Sequence, residues 1–304
     1  MIVDCHTHIW ESPEQLGRAR IDASCHVRRG LLGDNGELPD ASPEEHLRCS
    51  DPVDRSLVFG FKSRHLGAAI PRELIYAYVR KNPERLIGVA GIDPTNLEEA
   101  LDELRESDAE FGMKAITVSP AAQDFHPADS RAMQVFSEAV KLKKPVFIHQ
   151  GVHFAPPSKM EFARPSHLDE VARDLPQLKI VIGHMGYPWI DECVVLLGKH
   201  ANVFADVSCL IHRPWAAYNA LLTAYEYGVM DKLLFGSDFP YTPPARAIES
   251  LYRINQLVTG TNLPTIPRQF LASIVERDTL GLLGIAPAVN SKGKESNGVL
   301  DEEA

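Results

Sequence analysis

The chain opens with MIVDCHTHIW (residues 1–10), a short apolar run that ends in two histidines, His6 and His8, separated by one residue. Side chains at positions i and i+2 of a β-strand point to the same face of the sheet. The two imidazoles would therefore face one ion together, whereas Cys5 and Thr7 would point to the opposite side, toward helices. This opening predicts a first strand that presents two metal ligands at its carboxyl end.

Seven further apolar, β-branched runs follow, and helix-like segments lie between most of them. The eight runs are Ile2–Cys5, Ser56–Phe61, Leu86–Ile92, Ala115–Val118, Pro145–Ile148, Lys179–Ile182, Val203–Val207 and Leu233–Phe235. The helix-like segments are Pro71–Asn82, Leu97–Ser107, Ser130–Leu142, Ser166–Asp174, Trp189–Lys199 and Trp215–Tyr227. Near-continuous apolar runs are typical of parallel strands covered on both faces. Eight strands that alternate with helices favour a (β/α)8 TIM barrel over an open doubly wound sheet.

The barrel is expected to form one domain over residues 1–285. Residues 9–55 would be a long first βα connection, rich in Pro, Gly and charge. A connection of that length is typical of a functional lid or of a segment with structure of its own. Residues 286–304 are polar and low in aromatics, so we expect a disordered tail.

Composition excludes several classes of partner. The 31 basic and 41 acidic residues give a formal net charge of −10, which offers no positive field for nucleic acid or for an anionic membrane. No stretch approaches the ~20 apolar residues of a membrane span, and the N-terminus lacks the pattern of a signal peptide. The five cysteines form no CxxC pair, which fits reduced thiols and a cytoplasmic location.

Five side chains that can carry chemistry follow the ends of the predicted strands. His6 and His8 end the first run, His149 ends the fifth, His184 ends the sixth and Asp238 follows the eighth. Barrel enzymes build their active sites at the carboxyl ends of the strands. Three imidazoles and a carboxylate suit Zn²⁺ with an open position for water, and Mn²⁺, Fe²⁺ or Co²⁺ would also fit. The pattern predicts a metal site.

The motifs DCHTHIW, GMKAITVSP, PVFIHQG, IVIGHMG and LLFGSDFP, in this order, resemble those of the amidohydrolase-related superfamily. More narrowly, they resemble the branch that includes aminocarboxymuconate semialdehyde decarboxylase, γ-resorcylate decarboxylase and several lactone hydrolases. This resemblance implies a distorted barrel that holds one divalent ion, usually zinc. The implied ligands are His6, His8, His149 and Asp238, and His184 would act as a general acid/base beside the bound water.

The number of ions also follows from this resemblance. Members of the superfamily with two metals place a carboxylated lysine or a glutamate at the end of the fourth strand. This chain has Lys114 at the start of that run and Ser119-Pro120 at its end. A mononuclear site is therefore favoured.

Two reactions would use the same constellation. A bound divalent ion lowers the pKa of its water from about 15.7 to about 7. A hydrolase would direct this water at the carbonyl of a small carboxylated or cyclic ester, lactone or amide, with His184 or Asp238 taking the proton. A non-oxidative decarboxylase would deliver a proton to the carbon of an aromatic or unsaturated acid that loses CO₂. We favour hydrolysis and keep decarboxylation as the alternative.

An anionic small-molecule substrate calls for cationic residues on the loops above the strands. Arg64 follows the second run, Arg213 follows the seventh, and Arg28 and Arg29 lie in the long first connection. Arginine can pair bidentately with a carboxylate. We expect Arg64 and Arg213 to bind substrate and Trp10, directly after the two histidines, to form an aromatic wall. A homodimer, common among barrel enzymes, is left open.

Overall fold

The computed structural model describes residues 1–27 and 38–285, with only the backbone described for residues 23–27 and 211. The predicted tail at 286–304, and Arg28 and Arg29, lie outside the described residues. Strands and helices are numbered below in chain order.

Eight parallel strands form a nearly closed barrel, as the sequence predicts. They pair in the order β1-β2-β5-β6-β7-β8-β9-β10. Their bounds are β1 Val3–His8, β2 Arg55–Phe59, β5 Leu86–Gly91, β6 Ala115–Val118, β7 Val146–Ile148, β8 Ile180–Ile182, β9 Val203–Asp206 and β10 Leu233–Leu234. Closure comes from backbone bonds between β1 and the chain after β10. Cys5 N–H donates to Phe235 O (3.0 Å), and Asp238 N–H donates to His6 O (2.9 Å).

Between one and three α-helices follow each barrel strand. Their bounds are α1 Arg18–Val27, α2 Pro43–Cys49, α3 Arg72–Lys81, α4 Leu97–Ala109, α5 Pro120–Gln123, α6 Ser130–Lys141, α7 Leu168–Asp174, α8 Ile190–Lys199, α9 Pro214–Glu226, α10 Pro244–Tyr252, α11 Arg268–Val275 and α12 Thr279–Leu283. Helix α6 shows why these segments are helical. Its buried side chains recur at three- and four-residue spacings, which places Ala132, Val135, Phe136 and Ala139 on one face against the sheet. Among the described residues, no helix is long and apolar enough to cross a membrane.

Two apolar layers explain the near-continuous runs. Alternate strand residues fill the barrel interior, as Leu57 and Phe59 do, while Val58 between them packs in the outer layer under the helices. One expectation fails here. Cys5 lies in the interior layer rather than facing the helices. The pairing of β1 with β2 is irregular between Asp4 and Thr7, and such an irregularity interrupts the two-residue alternation.

The long first connection has structure of its own. It contains a 3₁₀ turn at Pro13–Leu16 and helices α1 and α2, and α2 begins where Ser42 Oγ accepts the Glu45 N–H (3.3 Å). A two-stranded antiparallel hairpin, which the sequence analysis did not predict, follows β2 and is formed by β3 (Phe61–Ser63) and β4 (Ala68–Ile70). This hairpin redirects the chain that carries Arg64.

Candidate active site

The barrel brings all five predicted side chains to one cavity at the carboxyl ends of its strands. His6 and His8 come from β1, and His149, His184 and Asp238 follow β7, β8 and β10. Each side chain lines the cavity, although Asp238 is more than two hundred positions from His6. The strand ends meet there because all eight strands are parallel.

The donor atoms of this cluster lie close together. His6 Nε2 is 3.1 Å from His8 Nε2 and 4.0 Å from Asp238 Oδ1, and His8 Nε2 is 3.5 Å from Asp238 Oδ1. His6, His184 and Asp238 each offer a ligand atom within 4.8 Å of the others. The His184 ring stacks on His6 with centroids 4.8 Å apart and meets His149 edge-on at 4.9 Å.

His149 supplies the clearest sign that the cluster fits a metal ion. Its Nε2 atom is buried and has no hydrogen-bond partner among the residues that the structure describes. Burial, and then the neighbouring His184, lower the pKa of His149 well below its ordinary value, so the ring is neutral. A buried polar atom without a partner carries a desolvation cost unless a group outside the chain satisfies it. A neutral imidazole nitrogen in such a place is what a divalent ion requires.

Asp206, on β9, orients the imidazoles from behind. Its Oδ2 accepts the Nδ1–H of His6 at 2.8 Å, which leaves His6 Nε2 with a lone pair that faces the cluster. Its Oδ1 accepts the Ser208 hydroxyl and the backbone N–H of His184 at 3.1 Å. Burial would raise the pKa of Asp206, but the charge and hydrogen bond of His6 lower it to about 2. For His6, burial lowers the pKa, but the neighbouring Asp206 carboxylate outweighs burial. The pKa of His6 is therefore raised.

His184 has one ring nitrogen fixed and one directed at the cavity. Its Nδ1 lies 2.8 Å from Ser208 Oγ and 3.2 Å from Ser208 O, so the Nδ1–H donates there and Nε2 is the acceptor. Burial lowers the pKa of His184. Its backbone is left-handed (φ 55°), and that of Asp238 is too (φ 61°). Such strained backbone in non-glycine residues is concentrated at functional sites.

The Asp238 carboxylate is held ionised inside the cluster. Burial raises its pKa, but the His8 hydrogen bond and the nearby His184 and His6 outweigh burial and hold it well below its usual range. Asp4 anchors the segment that precedes Asp238, because its Oδ1 accepts the backbone N–H of Ser237 at 2.9 Å. The same oxygen accepts the backbone N–H of His6 at 3.3 Å. The carboxylate and the β1 histidines therefore share one backbone support.

Of the three expected substrate contacts, the structure brings one to the cavity. Arg213 lines it, with the guanidinium 5.3 Å from the centroid of the Tyr187 ring. Arg64 does not, because the β3–β4 hairpin carries it outward to pair with Glu99 (3.1 Å). Trp10 is also absent from the lining. It is buried within the first connection, where its backbone N–H donates to Ala41 O (3.1 Å).

Sequence reasoning missed several residues that line the cavity. Arg20 on α1 reaches it, with the guanidinium 5.3 Å from the Phe61 ring centroid, and Tyr187 and Tyr241 complete the wall. No local pattern distinguishes Arg20 from the other cations of the first connection. Its place depends on how α1 packs over the barrel mouth.

Comparisons with known proteins agree with this architecture. The family model described as Amidohydrolase matches residues 3–265. No curated protein matches the chain. The fold resembles an uncharacterized TIM-barrel protein from Bordetella bronchiseptica, with 18% identity and a TM-score of 0.72 over 93% of this chain and 98% of that one.

Two further solved structures share the fold. A probable 2-pyrone-4,6-dicarboxylic acid hydrolase from Acinetobacter baumannii, with citric acid bound, has 17% identity and a TM-score of 0.61 over 93% of this chain and 99% of that one. A dihydroxybenzoic acid decarboxylase from a Polaromonas species, with manganese and the inhibitor 2-nitroresorcinol bound, has 15% identity and a TM-score of 0.62 over 93% and 97%.

Proposed function

The chain belongs to the amidohydrolase family, and on this premise we propose that it is a metal-dependent hydrolase of a small carboxylated or cyclic ester, lactone or amide. The observation that carries the proposal is the buried, unpartnered Nε2 of His149 in a cavity shared with His6, His8 and Asp238. A site for one divalent ion explains why these four side chains converge and why the buried Nε2 of His149 has no partner among the described residues.

His6, His8, His149 and Asp238 would hold this ion. Three imidazoles and one carboxylate suit Zn²⁺, which we propose, and Mn²⁺ is the first alternative because the dihydroxybenzoic acid decarboxylase contains it. When bound, the ion supplies Lewis acidity toward a carbonyl oxygen and toward water. The low pKa of His149 and the orientation of His6 by Asp206 prepare two of the nitrogens for this role.

His184 is the proposed general acid/base. Since burial lowers its pKa, the ring is neutral at neutral pH, and its Nε2 can take the proton of the attacking water. Ser208 holds the opposite ring nitrogen, so the ring keeps its orientation when it later returns the proton to the leaving group. We assign Asp238 a share of the same proton transfer.

The cavity walls support an anionic, planar substrate. Arg213 and Arg20 are cations at the cavity, and each lies over an aromatic ring, Tyr187 and Phe61 respectively. A guanidinium held against a ring in a partly buried site binds a carboxylate with little loss of side-chain freedom. We propose that Arg213 binds the substrate carboxylate.

Decarboxylation is the second candidate. The observation in its favour is that dihydroxybenzoic acid decarboxylase shares the fold over 93% of the chain. In that reaction His184 would protonate the ring carbon from which CO₂ leaves. Hydrolysis stays our first choice, since the probable pyrone dicarboxylic acid hydrolase shares the fold to the same extent, and the proposed ligands would serve either reaction.

A product assay decides between the two reactions. The Zn²⁺-loaded and Mn²⁺-loaded protein is screened against lactones, esters and carboxylated aromatics, with separate detection of ring-opened acid and of CO₂. We expect acid release. His184→Asn should keep its ion, by elemental analysis, and lose about 100-fold or more in turnover. Release of CO₂ as the main product would overturn the hydrolase assignment.

Location and assembly remain proposals. Among the described cysteines, Cys5, Cys49 and Cys193 are free thiols, and we propose a cytoplasmic enzyme on that ground. A homodimer stays a prediction.

A further inference from the structure

A buried chain of hydrogen bonds lies behind the strand that carries His6 and His8. The Tyr78 hydroxyl of α3 is 2.8 Å from His46 Nδ1 on α2, and His46 Nε2 is 3.0 Å from Thr7 Oγ1 on β1. Thr7 Oγ1 in turn lies 2.7 Å from the Leu57 carbonyl on β2. Tyr78, His46 and Thr7 are each less than 5% exposed, and they do not line the cavity.

Within this chain of hydrogen bonds, every donor points in the same direction, from Tyr78 toward Leu57. The Leu57 carbonyl can only accept, so the Thr7 hydroxyl donates to it and presents a lone pair to His46. His46 Nε2–H must then donate to Thr7, and its Nδ1 accepts from the Tyr78 hydroxyl. Burial lowers the pKa of His46 to about 4, which agrees with a neutral ring of this one tautomer. Each polar atom of the chain is satisfied, so the geometry tolerates little displacement.

This chain meets both backbone segments that bear the proposed ligands. Thr7 stands between His6 and His8 and forms a parallel bridge with Phe239, which directly follows Asp238. The His46 ring also packs edge-on against Phe239, with centroids 4.9 Å apart. The His8 N–H donates to Phe239 O at 2.8 Å. His46 thus touches the two segments from the helix layer, opposite the cavity.

We propose that His46 is a positioning residue that sets the spacing between the β1 histidines and Asp238 and thereby the affinity of the site for its divalent ion. The inference rests on the proposed metal site. A metal ion demands fixed separations between its ligands, and groups that orient ligands from outside change metal affinity by about 10- to 100-fold when they are removed. The role also explains why α2, within the long first connection, packs against β1.

Ion affinity measured on metal-stripped protein tests the proposal. Competition with a chromophoric chelator gives Kd for Zn²⁺, and thermal unfolding of the metal-free protein gives Tm. The variants are His46→Phe, Tyr78→Phe and Thr7→Val, each of which removes part of the chain. We expect His46→Phe to weaken Zn²⁺ binding about 10-fold or more, with smaller effects in the same direction from the other two. The visible bands of the Co²⁺-loaded variants should shift with them.

Tyr218→Phe is the matched control. The Tyr218 hydroxyl is also buried and donates to Pro264 O at 2.6 Å, but it lies on α9 away from the cluster. We expect this variant to lower Tm as Tyr78→Phe does while leaving Kd and the Co²⁺ bands unchanged. A role in general stability alone would move Tm in both tyrosine variants and Kd in neither.

The outcomes separate the two proposals. Suppose that the parent binds one ion but every folded variant of His46, Tyr78 and Thr7 keeps its Kd within about twofold of the parent value. The role of His46 is then overturned while the metal site stands. The same conclusion follows if Tyr218→Phe weakens binding equally. If the parent binds no ion, the proposed function fails and the role of His46 fails with it. If His46→Phe does not fold, Tyr78→Phe and Thr7→Val decide.

Discussion

Three histidines of the cavity differ in chemistry because their neighbours differ. His6 donates Nδ1–H to Asp206, and His184 donates its own Nδ1–H to Ser208, which in turn donates to Asp206. His149 has no such partner at Nε2 within the described part of the chain, and burial keeps it neutral. One carboxylate on β9 therefore orients a proposed ligand and, through Ser208, the proposed acid/base.

Removal of one proposed ligand should abolish ion binding, because the remaining donors cannot complete the coordination. We expect metal-reconstituted His6→Ala and Asp238→Ala to hold far less than one ion per chain and to lose activity together with it. Elemental analysis after gel filtration is the measurement. His126→Ala is the control, since His126 bonds His167 (3.1 Å) outside the cavity and its removal should leave the ion in place. Stoichiometric ion in both ligand variants would refute the assignment.

At the level of elements, capping residues and apolar spacing define the helices of the outer layer. Asp129 is the N-cap of helix α6, and its side chain accepts the Arg131 backbone N–H at 2.8 Å. The Arg131 hydrogen bond, with burial opposing it, lowers the pKa of Asp129 below its ordinary 3.8. A group with a lowered pKa stabilises the fold above its unfolded pKa, and this contribution is lost as the pH falls through the folded value.

Asp129→Ala should therefore lower the free energy of unfolding by about 1 kcal/mol at neutral pH, since it removes the N-cap. Urea unfolding at several pH values measures the difference from the parent. Asp129→Asn should retain most of the cap at neutral pH. Its deficit against the parent should shrink as the pH falls below 3.8 and through the lowered pKa at which the folded aspartate loses its charge. An alanine variant as stable as the parent would contradict the capping role.

At the level of the whole molecule, the barrel closes where the site is built. Strand β1, at the start of the chain, bonds to the segment that carries Asp238. An ion held by His6, His8 and Asp238 would tie these two distant segments together. Binding and barrel stability should consequently be linked.

Ion binding should raise Tm, because a ligand that binds only the folded state stabilises it by about 2.7 kcal/mol at 100 times its Kd. Thermal unfolding with excess Zn²⁺ and with a chelator measures the shift. His149→Ala serves as the comparison, since it should unfold at the same temperature under both conditions. If the parent protein has the same Tm with excess Zn²⁺ and with the chelator, the proposed site is contradicted.

The amino-acid sequence alone predicts the eight strands, their parallel order and the five side chains at their carboxyl ends. These features follow from local apolar runs and from the position of each residue after its strand, so no long-range information was needed. The β3–β4 hairpin escaped notice because its strands are only three residues long, and the orientation of Cys5 because an irregular pairing interrupts the alternation.

The groups that surround the cluster, in contrast, depend on tertiary contacts that the sequence does not reveal. Asp206 meets His6 across two hundred positions, Arg20 and Arg213 reach the cavity while Arg64 does not, and His46 supports β1 from behind. Such contacts depend on how loops and helices pack over the barrel. The local periodicity of apolar residues does not predict that packing. It indicates which face of a helix or strand is buried, but not which distant residue covers that face.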